Sequence, residues 1–189
     1  MTWDELKSKL EGGIETQTFE VKGACDWNVK SLAKDILAMS NVQDGGTIII
    51  GVQDGTFALQ GVTQAQKDSY RIDTMKSQMM NYADPHVNFK VEIIPDTDGK
   101  EYVAITVFPF EEVPVICKSG AGGGVNVGVL YYRNKNGTVQ SAPISNAYDM
   151  RDVITTATVK MMQKLKKVGL TVEGTQSVEK ALNDELEGL

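Results

Sequence analysis

The stretch "ETQTFEVK", residues 15–22, sets Glu15 and Glu20 five positions apart and ends on Lys22. A third carboxylate, Asp54, follows the apolar run "TIIIGV" at residues 47–52. If the strands carrying Glu20 and residues 47–52 are neighbours, the three acids converge at one sheet edge. Such an oxygen donor set suits Mg²⁺, which is usually held by one or two carboxylates together with substrate phosphate. The ion would stabilise the charge that develops in phosphodiester cleavage and lower the pKa of an attacking water. Lys22 would then neutralise a phosphate. The plainer reading makes Glu15 and Glu20 solvated surface, and Asp54 a turn residue in "QDGT" chosen for its backbone tolerance.

Composition limits the other chemistries. His86 is the sole histidine among 189 residues, so a Ser-His-Asp triad, a Cys-His dyad or a His-rich zinc site would each have to pass through it. It sits in "ADPHVNF", where a helix gives way to a strand, and reads as structural. Cys25 and Cys117 form no CxxC pair and read as free thiols of a reduced, cytoplasmic compartment. "GAGGGVNVG" at 120–128 is rich in glycine. A strand follows it where a dinucleotide fingerprint needs a helix, so it reads as a flexible loop. No apolar run approaches the ~20 residues needed to span a bilayer, which argues against a membrane partner. The start, "MTWDELKSKLEGG", lacks the basic-then-apolar pattern of a signal peptide.

The net charge of −6 argues against a general nucleic-acid coat, because phosphate binding is driven by Lys and Arg. The charge is uneven, however. Residues 173–189 carry Glu173, Glu179, Asp184, Glu185 and Glu187 against Lys180. Residues 153–172 hold Lys160, Lys164, Lys166 and Lys167 and no acid. That run is either a basic binding face or a solvated helix face.

The elements that must position these residues follow from periodicity. "TWDE" at residues 2–5 is a capping box that opens a helix carrying Trp3, Leu6 and Leu10 on one stripe. "TFEVK" reads as a half-buried strand with Phe19 and Val21 inward and Thr18, Glu20 and Lys22 on a polar face. Residues 26–41 predict a core-facing helix capped by Asp26. "TIIIGV" predicts a strand covered on both faces, and "FALQGV" its return strand across the Asp-Gly turn. One helix is expected from Gln64 to Tyr82 with Ile72, Met75 and Met79 inward. "VNFKVEIIP" and "EYVAITVFP" form a hairpin, and "VLYYR" is a further strand. Ser145 caps a long helix carrying Met150, Val153, Ile154, Ala157, Met161 and Leu165, and a short acidic helix follows Gly174. The order gives an α+β fold with a mixed β-sheet flanked by helices. A chain this size buries roughly 70% of its unfolded surface and needs no disulfide or metal to fold.

Read together, "E-x4-E-x-K" and a later "A-x-x-N…GG-x4-GV-x-D" resemble the Schlafen-type AlbA-like domain. Here these are Glu15, Glu20 and Lys22, then Ala38, Asn41, Gly45, Gly46, Gly51, Val52 and Asp54. The segment "YVAITVFPFEEVPVICK…LYYRNKNGTVQSA" is similar to that family's second half, where a strand ending in proline precedes a Tyr-Arg strand. The resemblance implies a single α+β lobe over residues 1–155, followed by a C-terminal helical extension over residues 156–189. It implies association with nucleic acid. In the Schlafen branch it further implies cleavage of transfer and ribosomal RNA by three acids with a divalent metal. By motif position those acids are Glu15, Glu20 and Asp54, with Mg²⁺ or Mn²⁺ as cofactor.

The sequence-based expectation is therefore a metal-dependent endoribonuclease acting on structured RNA such as tRNA. Glu15, Glu20 and Asp54 would be its catalytic and metal-binding residues, and Lys22, Lys160, Lys164 and Lys167 its nucleic-acid contacts. The alternatives are a non-catalytic module that binds RNA or DNA, and a small protein that forms homo-oligomers through Met150, Met161 and Met162.

Overall fold

The computed structural model describes residues 1–120, 124–134 and 139–170. The elements run α1 (Trp3–Glu11), β1 (Phe19–Lys22), α2 (Val29–Ser40), β2 (Gly46–Ile50), α3 (Gln64–Ser69), α4 (Ile72–Met79), β3 (Ala83–Asp84), β4 (Phe89–Pro95), β5 (Glu101–Val107), β6 (Ile116–Cys117), β7 (Tyr131–Arg133), β8 (Ser141–Pro143) and α5 (Ala147–Lys167). The main sheet has the order β1-β2-β5-β4. β1 and β2 are parallel and joined by α2, while β2–β5 and β5–β4 are antiparallel. This is the mixed α+β architecture that the element order implies.

Both faces of the sheet are covered, which explains why β2 is continuously apolar. Ile48 and Ile50 pack with Leu32, Ile36 and Met39 of α2 and with Met75 and Met79 of α4. Ile49 faces the other way, into a cluster with Leu6 of α1, Phe19, Val21 and Tyr102. Trp3 closes that cluster by stacking on Tyr102 at 5.5 Å between ring centroids. The α1 capping box forms as its sequence requires: Glu5 N–H donates to Thr2 and Thr2 N–H donates to the Glu5 carboxylate.

The face of β1 that alternation marks as polar is not solvated. Glu20 and Lys22 point to the same side as Ile48 and Ile50, beneath α2, and Glu20 is buried. A parallel β1–β2 pair needs a crossover, and the crossover helix roofs the strand's polar side.

Other expectations change in detail. α2 starts at Val29 with Asn28, not Asp26, as its cap, and α5 is capped by Asn146 instead of Ser145. Residues 57–62 form no return strand; Val52 and Leu59 share one isolated bridge. β2 already has β1 on one side and β5 on the other, so no edge is left for a hairpin partner. The helix expected over 64–82 breaks at Tyr70 and Arg71. The break lets the Tyr70 ring enter the core and its hydroxyl donate to the Cys25 carbonyl at 2.9 Å. On α5 only Asp149 and Val153 are buried, whereas Met150, Ile154 and Met161 are exposed. α5 runs without interruption through residues 155 and 156, so the lobe and its extension share one helix. The acidic helix expected after Gly174 lies outside the described residues.

Two features of the "NVQDGG" turn are specified sterically. Gly45 has φ +70, and a Cβ there would lie 2.2 Å from the Val107 carbonyl oxygen. Asn41, at the C-terminal end of α2, is fully buried. Its amide NH₂ donates to the carbonyls of Leu37, Val115 and Tyr131, and its oxygen accepts the Val115 N–H at 2.8 Å. One side chain thus fastens α2 to the segment immediately before β6 and to β7. Asn41→Ala strands several of these groups without a partner, at about 1–3 kcal/mol for each unsatisfied group. A urea titration should show a loss of roughly 3 kcal/mol or more; a loss below about 1 kcal/mol would show that water replaces the amide.

Candidate functional site

The turn Thr16–Phe19 explains how two glutamates five residues apart come together. Thr16 and Phe19 exchange backbone hydrogen bonds at 3.0 and 3.2 Å, folding residue 15 back over the strand that carries residue 20. β1 is an edge strand, and Glu15 uses that edge: its Oε1 accepts the Val21 N–H at 2.8 Å. The parallel pairing of Lys22 with Ile50 carries the chain on past Gly51 to Asp54, which is exposed in the following loop.

Glu20 is the centre of the site, and both of its oxygens are engaged. Oε2 accepts from Nη1 of Arg133, and Oε1 accepts from the Lys22 ammonium. Arg133 comes from β7 and is 1% exposed. Its Nη2 donates to the Thr16 carbonyl at 2.9 Å and to the Phe19 carbonyl at 3.3 Å, while Gln17 donates to the Arg133 carbonyl at 2.8 Å. Among the described residues its Nε has no partner. Lys22 reaches a second carboxylate, Asp35 of α2, at 3.3 Å.

The charges follow this packing. Burial alone would lower the Lys22 pKa, but Asp35 and Glu20 outweigh it and hold the ammonium above its ordinary value. The Glu15 carboxyl is raised, first by burial; the Val21 N–H opposes this, the Glu20 charge adds to it, Arg133 opposes it and Asp54 adds to it. Glu15 therefore feels both other acids of the expected triad.

The structure brings Glu15, Glu20 and Lys22 together and leaves Asp54 within electrostatic reach of Glu15. Among the described residues no group of three or more His, Cys, Asp or Glu side chains is arranged to hold a metal ion. As placed, each Glu20 oxygen is turned to a cation of the protein, so the acids present no preformed cage for Mg²⁺ or Mn²⁺ among the described residues. The expected nucleic-acid lysines are scattered. Lys22 is enclosed by Glu20 and Asp35. Lys160 donates to the Phe110 carbonyl, lies 5.0 Å from the centre of the Phe110 ring, and is held below its ordinary pKa by burial. Lys164 pairs with Glu112, and Lys167 is exposed in the last turn of α5.

Two site residues escape a reading for carboxylate spacing. Asp35 lies three residues after Leu32 and four before Met39, inside the core stripe of α2. A charge in such a stripe needs a buried partner, and that was the available signal. Arg133 sits in the Tyr-Arg strand, but only the fold shows that it crosses to β1.

A family model described as "Schlafen, AlbA_2" matches residues 15–142, more than half of the chain. The chain belongs to this family. Membership points to a nucleic-acid-related role. Among solved structures, the N-terminal domain of a RecG-related protein from Nitrosomonas europaea aligns with TM-score 0.51 and 20% identity, covering 75% of this chain and 94% of that one. That likeness concerns the fold. The DIP2311 protein from Corynebacterium diphtheriae aligns with TM-score 0.47 and 19% identity over 72% of this chain. This chain spans 24% of that protein's length. No curated protein matches the chain.

Glu15→Gln tests the electrostatics of the Schlafen-type site. The variant keeps an oxygen for the Val21 N–H and removes one charge. A carboxyl whose folded pKa is raised makes the folded state bind more protons than the unfolded state. Its charge therefore weighs against folding above the raised value, and that cost fades as pH falls through the ordinary carboxylate range. Thermal melts should show Glu15→Gln more stable than the parent at pH 7, with the advantage lost in acid. An advantage that persists unchanged in acid would mean that the Glu15 charge, burdened first by burial and then by Glu20 and Asp54, is not its source.

Proposed function

We propose that this Schlafen AlbA_2 protein is a nucleic-acid-binding module in which the acids around Glu20 organise the fold at the binding lobe. The observation that carries this reading is the closed network Arg133–Glu20–Lys22–Asp35, in which every Glu20 oxygen is committed to a cation of the protein itself. A carboxylate so bound is an anchor for β7 on β1. The family supplies the class of ligand. Fluorescence anisotropy with labelled RNA and DNA oligonucleotides should show saturable binding that weakens as salt rises. The log–log slope should be roughly 0.7–0.9 for each phosphate neutralised. No binding of either nucleic acid at low salt would overturn the proposal.

A second reading is a metal-dependent endoribonuclease acting on structured RNA such as tRNA. It is favoured by one observation: Glu15 carries the combined repulsion of Glu20 and Asp54, a field that a divalent cation would relieve. It requires Glu20 to exchange Arg133 and Lys22 for new partners. Incubation of the protein with tRNA and Mn²⁺ decides between the two. Cleavage that Glu15→Gln and Asp54→Asn each abolish, with thermal melts showing both variants folded, would establish the second reading. Absence of cleavage, or cleavage that survives both substitutions, would remove it.

A further inference from the structure

We propose that a groove between the start of α2, the end of α4 and the chain just after β6 is a binding site for the phosphates of a nucleic-acid backbone. The groove measures about 660 Å³ and is lined by Lys30, Gln78, Asn81, Tyr82, Lys118 and Ser119, with Val29 at its margin. None of these residues is acidic. In contrast, the concavity beside Phe108 carries Glu111 and Glu112, and the one against α5 carries Asp44. The location is independent of the nucleic-acid reading above; the identity of the ligand rests on it.

The walls are fixed and the donors are left open. β3 and β6 pair Ala83 with Cys117, and the Lys118 N–H donates to the Tyr82 carbonyl at 2.9 Å. This ties the loop wall to the end of α4. Trp27 fixes the other wall: its backbone N–H donates to Ser69, and its ring packs edge-on against Tyr70. The Trp27 indole N–H donates to the Gln78 carbonyl oxygen at 2.7 Å. That bond takes the acceptor end of the Gln78 amide and leaves its NH₂ as the free end. Lys30 and Lys118 are exposed, and among the described residues neither forms an ion pair and the Asn81 side-chain amide has no hydrogen-bond partner. Two ammonium groups, two amide donors and the Ser119 hydroxyl with no carboxylate among them select an anion. Several donors spread along an open groove suit successive phosphates better than one compact anion. Such contacts position a strand without reading its sequence.

The test compares the parent with a Lys30→Glu, Lys118→Glu double variant and a Lys7→Gln, Lys9→Gln control on the exposed side of α1. Anisotropy with a labelled single-stranded oligonucleotide reads affinity across a salt series. NMR of the Trp27 indole and the Gln78 and Asn81 side-chain amides reads the groove directly, with inorganic tripolyphosphate as a second probe. The double variant should bind the oligonucleotide at least tenfold more weakly, with a salt slope smaller by about 1 per lysine, while the control stays within twofold. Both groove lysines are exposed, and unchanged thermal melts would show that the variant folds. Parental oligonucleotide affinity in the double variant would overturn the groove and leave the nucleic-acid reading intact. Tripolyphosphate shifts at Trp27 and Gln78 that vanish in the double variant, without oligonucleotide binding by the parent, would uphold an anion site and overturn the nucleic-acid reading. Failure of both probes to perturb these signals would overturn the groove.

Discussion

The buried pair between Arg133 and Glu20 is the constraint around which the lobe is arranged. Arg133 arrives from a hairpin far along the chain and meets the first strand of the sheet. Neither charge has water to fall back on, since Arg133 is 1% and Glu20 5% exposed. Placing such a pair in the interior gains little stability over an apolar pair of the same volume, because desolvation offsets the attraction. Removing one member is another matter, with a cost of roughly 3–5 kcal/mol, because the remaining charge stays buried alone. The pair therefore discriminates between arrangements: a lobe with β7 displaced from the Thr16–Phe19 turn has two unmatched charges inside it.

Lys22 and Asp35 extend the same logic to α2. Glu20 lies under the crossover helix, so Lys22, on the same side of the strand, must also find a counter-ion there. Asp35 supplies it from the core stripe of α2 at 3.3 Å. The helix is thus registered on β1 by a charge contact as well as by Leu32, Ile36 and Met39. At the C-terminal end of α2 the buried Asn41 does the equivalent work with neutral hydrogen bonds to β7 and its neighbour. Asp35, midway along α2, ties the helix to β1 through Lys22, and Asn41 at its C-terminal end ties it to β7, so the acid pocket is the charged part of this clamp.

The sequence made the frame legible because the frame is periodic. The α1 capping box, the doubly covered β2 and the β4–β5 hairpin each follow from local spacing, whereas the fold-back of Glu15 onto the Glu20 strand depends on the Thr16–Phe19 turn. The polarity of β1 was legible as alternation but not as burial, because alternation cannot say what lies over a face. "FALQGV" had the composition of a strand but no free edge to join. Gln64–Tyr82 had helical periodicity throughout, and the break came from a tertiary demand, the burial of Tyr70. Asp35 and Arg133 were unreadable as a pair of roles because their partners lie across the fold, so no spacing connects them to Glu20.

A chain of net charge −6 is a poor candidate for phosphate binding only if its charge is spread evenly. α2 shows how it is sorted. Lys30 and Asp35 are five residues apart, which at 3.6 residues per turn sets them roughly 140° apart around the helix axis. The acid turns inward to Lys22 and the base turns outward to the groove with Gln78 and Lys118. Screening in physiological salt limits exposed charges to a range of ~8 Å, so a strand in that groove responds to the lysines lining it far more than to acids elsewhere on the surface. Carboxylates enclosed with Lys22 and Arg133 are already matched and contribute little repulsion outside. The same interior pairing that ties up Glu20 thus leaves part of the surface free to meet an anion.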